Sequence, residues 1–230
     1  MAPAPSLKQL RVARGWTKVE AARHLRVSQP YLSLLETGAR ELTPSLARRL
    51  SQALDLSPSC LPLPSSIEVW GPVTEDALAK HLASLGYAPF GYLRTTAGPE
   101  NPAAVLLWAL TAENLEPRLV EALPWLLLHY PDLDAIWLTR EAKARDLQNR
   151  LGFVVSLATE AADFDALPER HRESLKALRS ALESGRLARE DTLCEAAMSA
   201  NMRRALKRSR SRAAAHWNLL TGWKAEHLHV

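Results

Sequence analysis

The chain has 230 residues, 47% of them hydrophobic and 23% charged, which allows a real core at an ordinary charge density. No apolar run approaches the roughly 18–20 residues of a membrane helix. Residues 1–6 have neither a basic start nor an apolar signal core, so a cytoplasmic location without membrane contact is expected. The net charge of +4 divides unevenly: residues 1–66 carry nine Lys/Arg against four Asp/Glu, residues 67–200 thirteen against twenty, and residues 201–230 seven against one. Basic ends suit phosphate backbones, whereas the acidic middle argues against that part lying on nucleic acid.

Helix starts at the N-terminal end are legible. Ser6 precedes Gln9, and Thr17 precedes Glu20, by the three residues of a capping box, in which each side chain satisfies the other's backbone donor. Ser28 stands before a third helix with Pro30 in its first turn, and Thr43-Pro44 opens a fourth. Gly15 and Gly38 fall where the first and third should stop. Four helices are therefore expected near 6–14, 17–25, 28–37 and 43–55. Their apolar positions recur at helical spacing: Leu7, Leu10 and Ala13; Ala21, Ala22 and Leu25; Leu32 and Leu35; Leu46, Leu50 and Leu54. Trp16 and Val27, at turns, are expected to plug the same core. The short join Arg26-Val27 makes helices two and three a helix-turn-helix unit.

The run from Gly15 to Gly38, and above all the string Val27-Ser-Gln-x-x-Leu-Ser-x-Leu-Glu-x-Gly38, resembles the Xre/Cro-type, phage-repressor-like helix-turn-helix family. The resemblance covers about the first 60 residues. The sequence departs from the pattern at Arg26, where Gly is commonest, and at Ala21, which replaces a larger apolar residue. A residue other than Gly at positive φ is uncommon but tolerated. The resemblance implies that the third helix enters the major groove by its N-terminal end. Gln29 then matches a base-reading position, and its amide pairs bidentately with adenine. Ser28, Tyr31, Ser33, Leu34 and Thr37 fall on or near the exposed face, with Glu36 beside the groove. Lys18 matches a phosphate-contacting position, and Arg40 is a second candidate; such contacts set register without reading sequence.

Three prolines within 58–64 forbid a continuous helix, so residues 61–73 are expected to be a linker between a DNA-binding domain, 1–60, and a larger domain, 74–230. The larger domain again reads as helical, near 74–86, 102–112, 115–130, 134–162, 167–184, 188–198 and 199–209, which makes the whole chain all-α. Val69-Trp70 and Tyr92-Leu93 are the only segments suited to short extended pieces. Within the long 134–162 helix, Leu147, Leu151, Val154, Ala158 and Ala161 repeat at 4-3-4-3 spacing, a seam for another helix in the same chain or in a second copy. The run 203–212 places Arg203, Arg204, Lys207, Arg208, Arg210 and Arg212 within ten residues, a solvated face or an auxiliary phosphate-binding patch. Trp217 and Trp223, with Leu219 and Leu220, suggest that the C-terminal tail is folded onto the body.

No phosphate-binding loop, dinucleotide fingerprint, nucleophile elbow or metalloprotease motif is present, so neither an enzyme nor a cofactor or metal is expected. Asp132 and Asp134 precede a helix as caps do, and His227 and His229 lie on a tail. Cys60 and Cys194, far apart in sequence, make neither a CxxC pair nor a disulfide framework and read as reduced thiols. The functional expectation is a DNA-binding regulator, a dimeric repressor on a palindromic operator. An antitoxin with a toxin partner and a protein-binding adaptor are the alternatives.

Overall fold

The computed structural model describes residues 7–95 and 98–228. The expected cap Ser6 and the tail residue His229 lie outside them. The chain divides into two compact units, residues 1–62 and 63–230.

The N-terminal unit holds four helices: α1 (Leu7–Ala13), α2 (Lys18–Leu25), α3 (Gln29–Glu36) and α4 (Pro44–Leu54). The chemistry of their ends explains their bounds. Thr17 caps α2 in a reciprocal capping box with Glu20, and Ser28 and Thr43 accept the backbone N–H of Tyr31 and Leu46. Glu20 receives the Thr17 amide at 2.7 Å, and hydrogen bonds from the Thr17 backbone and hydroxyl hold its carboxyl below the usual carboxylate range. Arg26 closes α2 in the left-handed region at φ 53°, the conformation its place in the turn requires. The core joins Leu7, Ala21, Ala22, Leu25, Leu32, Leu35, Leu46, Leu50 and Leu54, with Leu10, Trp16, Val27 and Tyr31 partly buried against it. Ala13, expected inside, is exposed.

In the second unit, residues 67–70 form a 3₁₀ turn whose Ile67 is buried in the larger core, with Leu63, Trp70 and Val73 packed around it. This stretch of the expected linker is thus built into the unit, and Val69-Trp70 is not extended. Eight helices follow: α5 (Glu75–Ser84), α6 (Pro102–Leu110), α7 (Pro117–His129), α8 (Ala135–Ala144), α9 (Gln148–Glu160), α10 (Glu169–Glu183), α11 (Ala200–Ser209) and α12 (Arg212–His216). Strands β1 (Asp191–Thr192) and β2 (Leu219–Leu220) pair in parallel. Tyr92-Leu93 lies in a turn.

The helix expected over 134–162 is two helices. Asp146 takes φ 58°, and the Leu147 N–H reaches back to the Ala142 carbonyl at 2.8 Å, closing α8. Aspartate is one of the few residues that tolerate this left-handed conformation. Helix α9 sits at the centre, packed against α6, α7, α8, α10, α12 and both strands. Leu147, Leu151, Val154, Ala158 and Ala161 are all buried within the unit. The seam is therefore internal and is not open to a second copy.

Residues 188–198 are not helical, because α9 and the α6–α7 turn claim their neighbourhood. Asn149 exchanges two 2.9 Å hydrogen bonds with the Leu187 backbone. Arg150 grips the Asp191 carboxylate at 2.8 and 3.0 Å and also donates to the carbonyls of Leu110 and Ala112. The backbone N–H groups of Leu115 and Ala196 donate to the carbonyls of Cys194 and Glu113, tying this segment to the α6–α7 turn. Helical i→i+4 bonding over these residues would have to break those contacts. Trp217 is fully buried, its Nε1 donating to Ser156 Oγ at 2.9 Å. Gly152 leaves room for its ring: a Cβ there would lie 2.4 Å from the Trp217 ring. The tail is thus folded onto this unit, as its tryptophans suggested. Asp134 caps α8 by accepting the Trp137 N–H at 2.8 Å.

Candidate nucleic-acid interface

The exposed side of α3 is defined by what its other side buries. Leu32 and Leu35 enter the core, and Glu36 turns the same way toward α1. There Glu36 meets Arg11 at 2.6 Å, the two side chains being only 3% and 11% exposed. Arg11 also donates to the Trp16 carbonyl at 2.8 Å, and the Trp16 ring stacks on His24 with centroids 4.4 Å apart. Glu36 therefore does not lie beside the groove-facing surface; it ties α3 to α1. Its place one turn beyond Leu32 is the signal that reveals this. Arg11 was not singled out from the sequence, because a lone arginine on a short amphipathic helix reads as a solvated charge.

Gln29 stands at the first turn of α3, exposed and without a hydrogen bond among the described residues. Leu34 is exposed and Arg40 follows the helix, also exposed. The Ser28 hydroxyl caps the helix at Tyr31 N. The Thr37 hydroxyl donates to the carbonyls of Ser33 and Leu34, finishing the helix. Tyr31 is half-buried against the core. Lys18, from the start of α2, places its Nζ 3.2 Å from Ser33 Oγ on α3. The fold thus brings the ammonium of α2 onto the outer side of α3, leaves Gln29, Leu34 and Arg40 unengaged there, and commits Ser28 and Thr37 to the helix ends.

The six cations at 203–212 belong to the second unit, on α11, its C-terminal turn and the first residue of α12. Arg203 donates to the carbonyls of Ala196 and Met198, and Arg210 to that of Leu219. Lys207 pairs with Glu190 at 3.2 Å. Arg204, Arg208 and Arg212 are exposed and have no carboxylate partner among the described residues.

Among the described residues no helix is long and apolar enough to cross a membrane. No curated protein and no solved structure matched the chain. Residues 7–59 match a family model described as Helix-turn-helix, the segment that holds the four capped helices and the Lys18–Ser33 contact. The N-terminal unit is a helix-turn-helix domain, and the chain carries the DNA-binding head of a transcription regulator.

Proposed function

We propose that the protein is a repressor that binds its operator as a dimer, with α3 in the major groove. The observation that carries the docking is the convergence of Lys18 with the outer side of α3, which joins a phosphate-binding cation to a helix offering Gln29 to base edges. In that pose Lys18 and Arg40 contact phosphates on either side of α3 and fix its register. Gln29 reads an adenine through its amide, and Leu34 meets a thymine methyl. Ser28, Ser33, Tyr31 and Thr37 shape the helix and its packing, and their backbone and ring edges line the contact. A single eight-residue helix with so few unengaged side chains specifies a short site. Two copies on a palindrome supply the length that a specific operator needs.

The test is a binding titration on duplexes carrying every single-base change in the selected site. Gln29→Ala is expected to flatten the preference at one base pair, by about 1–3 kcal/mol, without changing the melting temperature. Unchanged affinity and unchanged preference would remove Gln29 from the interface. The mass of the protein–DNA complex gives the copy number, and a promoter–reporter assay distinguishes repression from activation.

A further inference from the structure

We propose that α11 and the start of α12 form a second DNA contact, a phosphate-binding surface carried by Arg204, Arg208 and Arg212; it rests on the reading of the chain as a DNA-binding protein. Residues 199–212 hold six cations and no acid. Three of the six are tied to other parts of the fold: Arg203 and Arg210 bind backbone carbonyls, and Lys207 pairs with Glu190. Among the described residues the other three have no such role, Arg204 reaching the exposed Asn201 amide oxygen on its own helix. Arg204 and Arg208 stand four residues apart on one helix, a spacing at which like charges repel. Arg212 is the first residue of α12, where the helix end already carries positive partial charge. Arg208 lies in the last turn of α11, where a cation is favoured, but no carboxylate among the described residues pairs with any of the three.

Helix α11 itself buries none of its residues, so core packing does not explain it. It is anchored through half-buried Leu206, whose Cδ2 faces Gly222, and is capped by Ser199. An exposed, acid-free cationic helix is complementary to a dense line of phosphates, to which arginine forks bind well. Residues 199–212 contain no aromatic side chain on which single-stranded bases would stack. Met202 is the one large apolar side chain of α11 found exposed, too little for a membrane-seated face. Duplex DNA, read through its backbone alone, is the ligand that fits.

The full-length chain and its R204Q/R208Q/R212Q variant would be titrated by fluorescence anisotropy against two duplexes of equal length. One carries a site selected with the wild-type chain, the other its scramble. Affinity for both should fall by the same factor, because phosphate contacts carry no sequence information. At about 0.9 counterions per contact, losing three contacts makes the decline in affinity between about 50 and about 200 mM salt roughly 40-fold smaller in the variant. The R204K/R208K/R212K variant, which keeps the charge, should retain the wild-type salt slope. Melting temperature should not fall, since none of the three side chains is buried and the substitutions relieve the repulsion between Arg204 and Arg208.

A variant with the wild-type affinity and slope overturns the proposal and leaves the role of α3 standing; α11 would then serve another anion, such as an acidic protein. A loss confined to the selected duplex also overturns it, because that is base readout. A wild-type chain that retains no duplex at all overturns the DNA-binding reading, and this proposal with it.

Discussion

Glu36→Ala removes the carboxylate facing Arg11 and leaves a guanidinium that is 11% exposed. Breaking one partner of a buried ion pair costs about 3–5 kcal/mol, because the remaining charge stays desolvated. Arg11 keeps its bond to the Trp16 carbonyl, which places this case near the lower end, about 3 kcal/mol. A unit of this size is stable by about 3–9 kcal/mol, at about 0.05–0.15 kcal/mol per residue. The single substitution therefore removes between a third and all of the stability of the N-terminal unit. The double variant R11M/E36L should be close to wild type or above it, since a buried pair replaced by apolar groups of similar size is neutral or stabilising. Hydrogen exchange read by mass spectrometry over residues 7–54 separates this unit from the rest of the chain. Glu36→Ala should raise exchange in α1 and α3 and lose DNA binding, and the double variant should recover both. The reasoning fails if Glu36→Ala costs under about 1 kcal/mol, the size of an exposed pair. It fails equally if the double variant folds but cannot bind DNA, for then Glu36 acts on the ligand directly.

Gly152→Ala gains about 1 kcal/mol of helix propensity but overpacks Trp217, at about 1–3 kcal/mol or more. With the ring fully buried and hydrogen-bonded, denaturant midpoints should show a net loss, which turns into a gain once Trp217→Ala empties the space; a gain in the wild-type background would contradict the packing. Cys60 is exposed, whereas desolvation pushes the buried Cys194 thiol up to about 11. A thiol reagent at neutral pH should therefore modify one cysteine in the native protein and two after unfolding, and rapid reaction of both would refute this assignment. Burial alone would raise the Asp191 carboxyl, but the hydrogen bonds and charge of Arg150 outweigh it and hold it below its ordinary value. Its contribution is complete above the unfolded pKa, near 3.8, and is lost as pH falls through the lower folded value. The stability difference between wild type and Asp191→Asn should be constant above about pH 4 and shrink below it in acid-denaturation curves; a difference that persists unchanged in acid would exclude the ion pair.

Local rules carried the N-terminal unit. Thr17, Ser28 and Thr43 announce their helices because a cap is satisfied within four residues, and Arg26 could be placed at positive φ because it stands where the resembled family most often has Gly. Glu36 escaped because a motif string records which residue is present and not the direction it faces. In the second unit the errors have non-local causes. Asp146 ends α8 with neither Gly nor Pro to mark it. Residues 188–198 have enough helix formers to read as a helix, but side chains from α9, some 40 positions away, hold Leu187 and Asp191 in a non-helical path. Strands of two residues are too short to show a period at all. The position of Gln29 was legible, while the engagement of Ser28 and Thr37 with their own helix ends needed coordinates.

The seating of Trp217 against Gly152 also bears on how the molecule is made. Helix α9 is enclosed in part by α12 and β2, so its apolar sides stay uncovered until residues 212–220 have left the ribosome. The N-terminal unit draws its core from residues 7–56 and can fold while the remainder is still being translated. A nascent chain would thus hold a finished DNA-binding head beside a second unit that is still waiting for Trp217. Premature termination anywhere between α10 and α12 should leave an intact head joined to a body with an open core, a species marked for proteolysis.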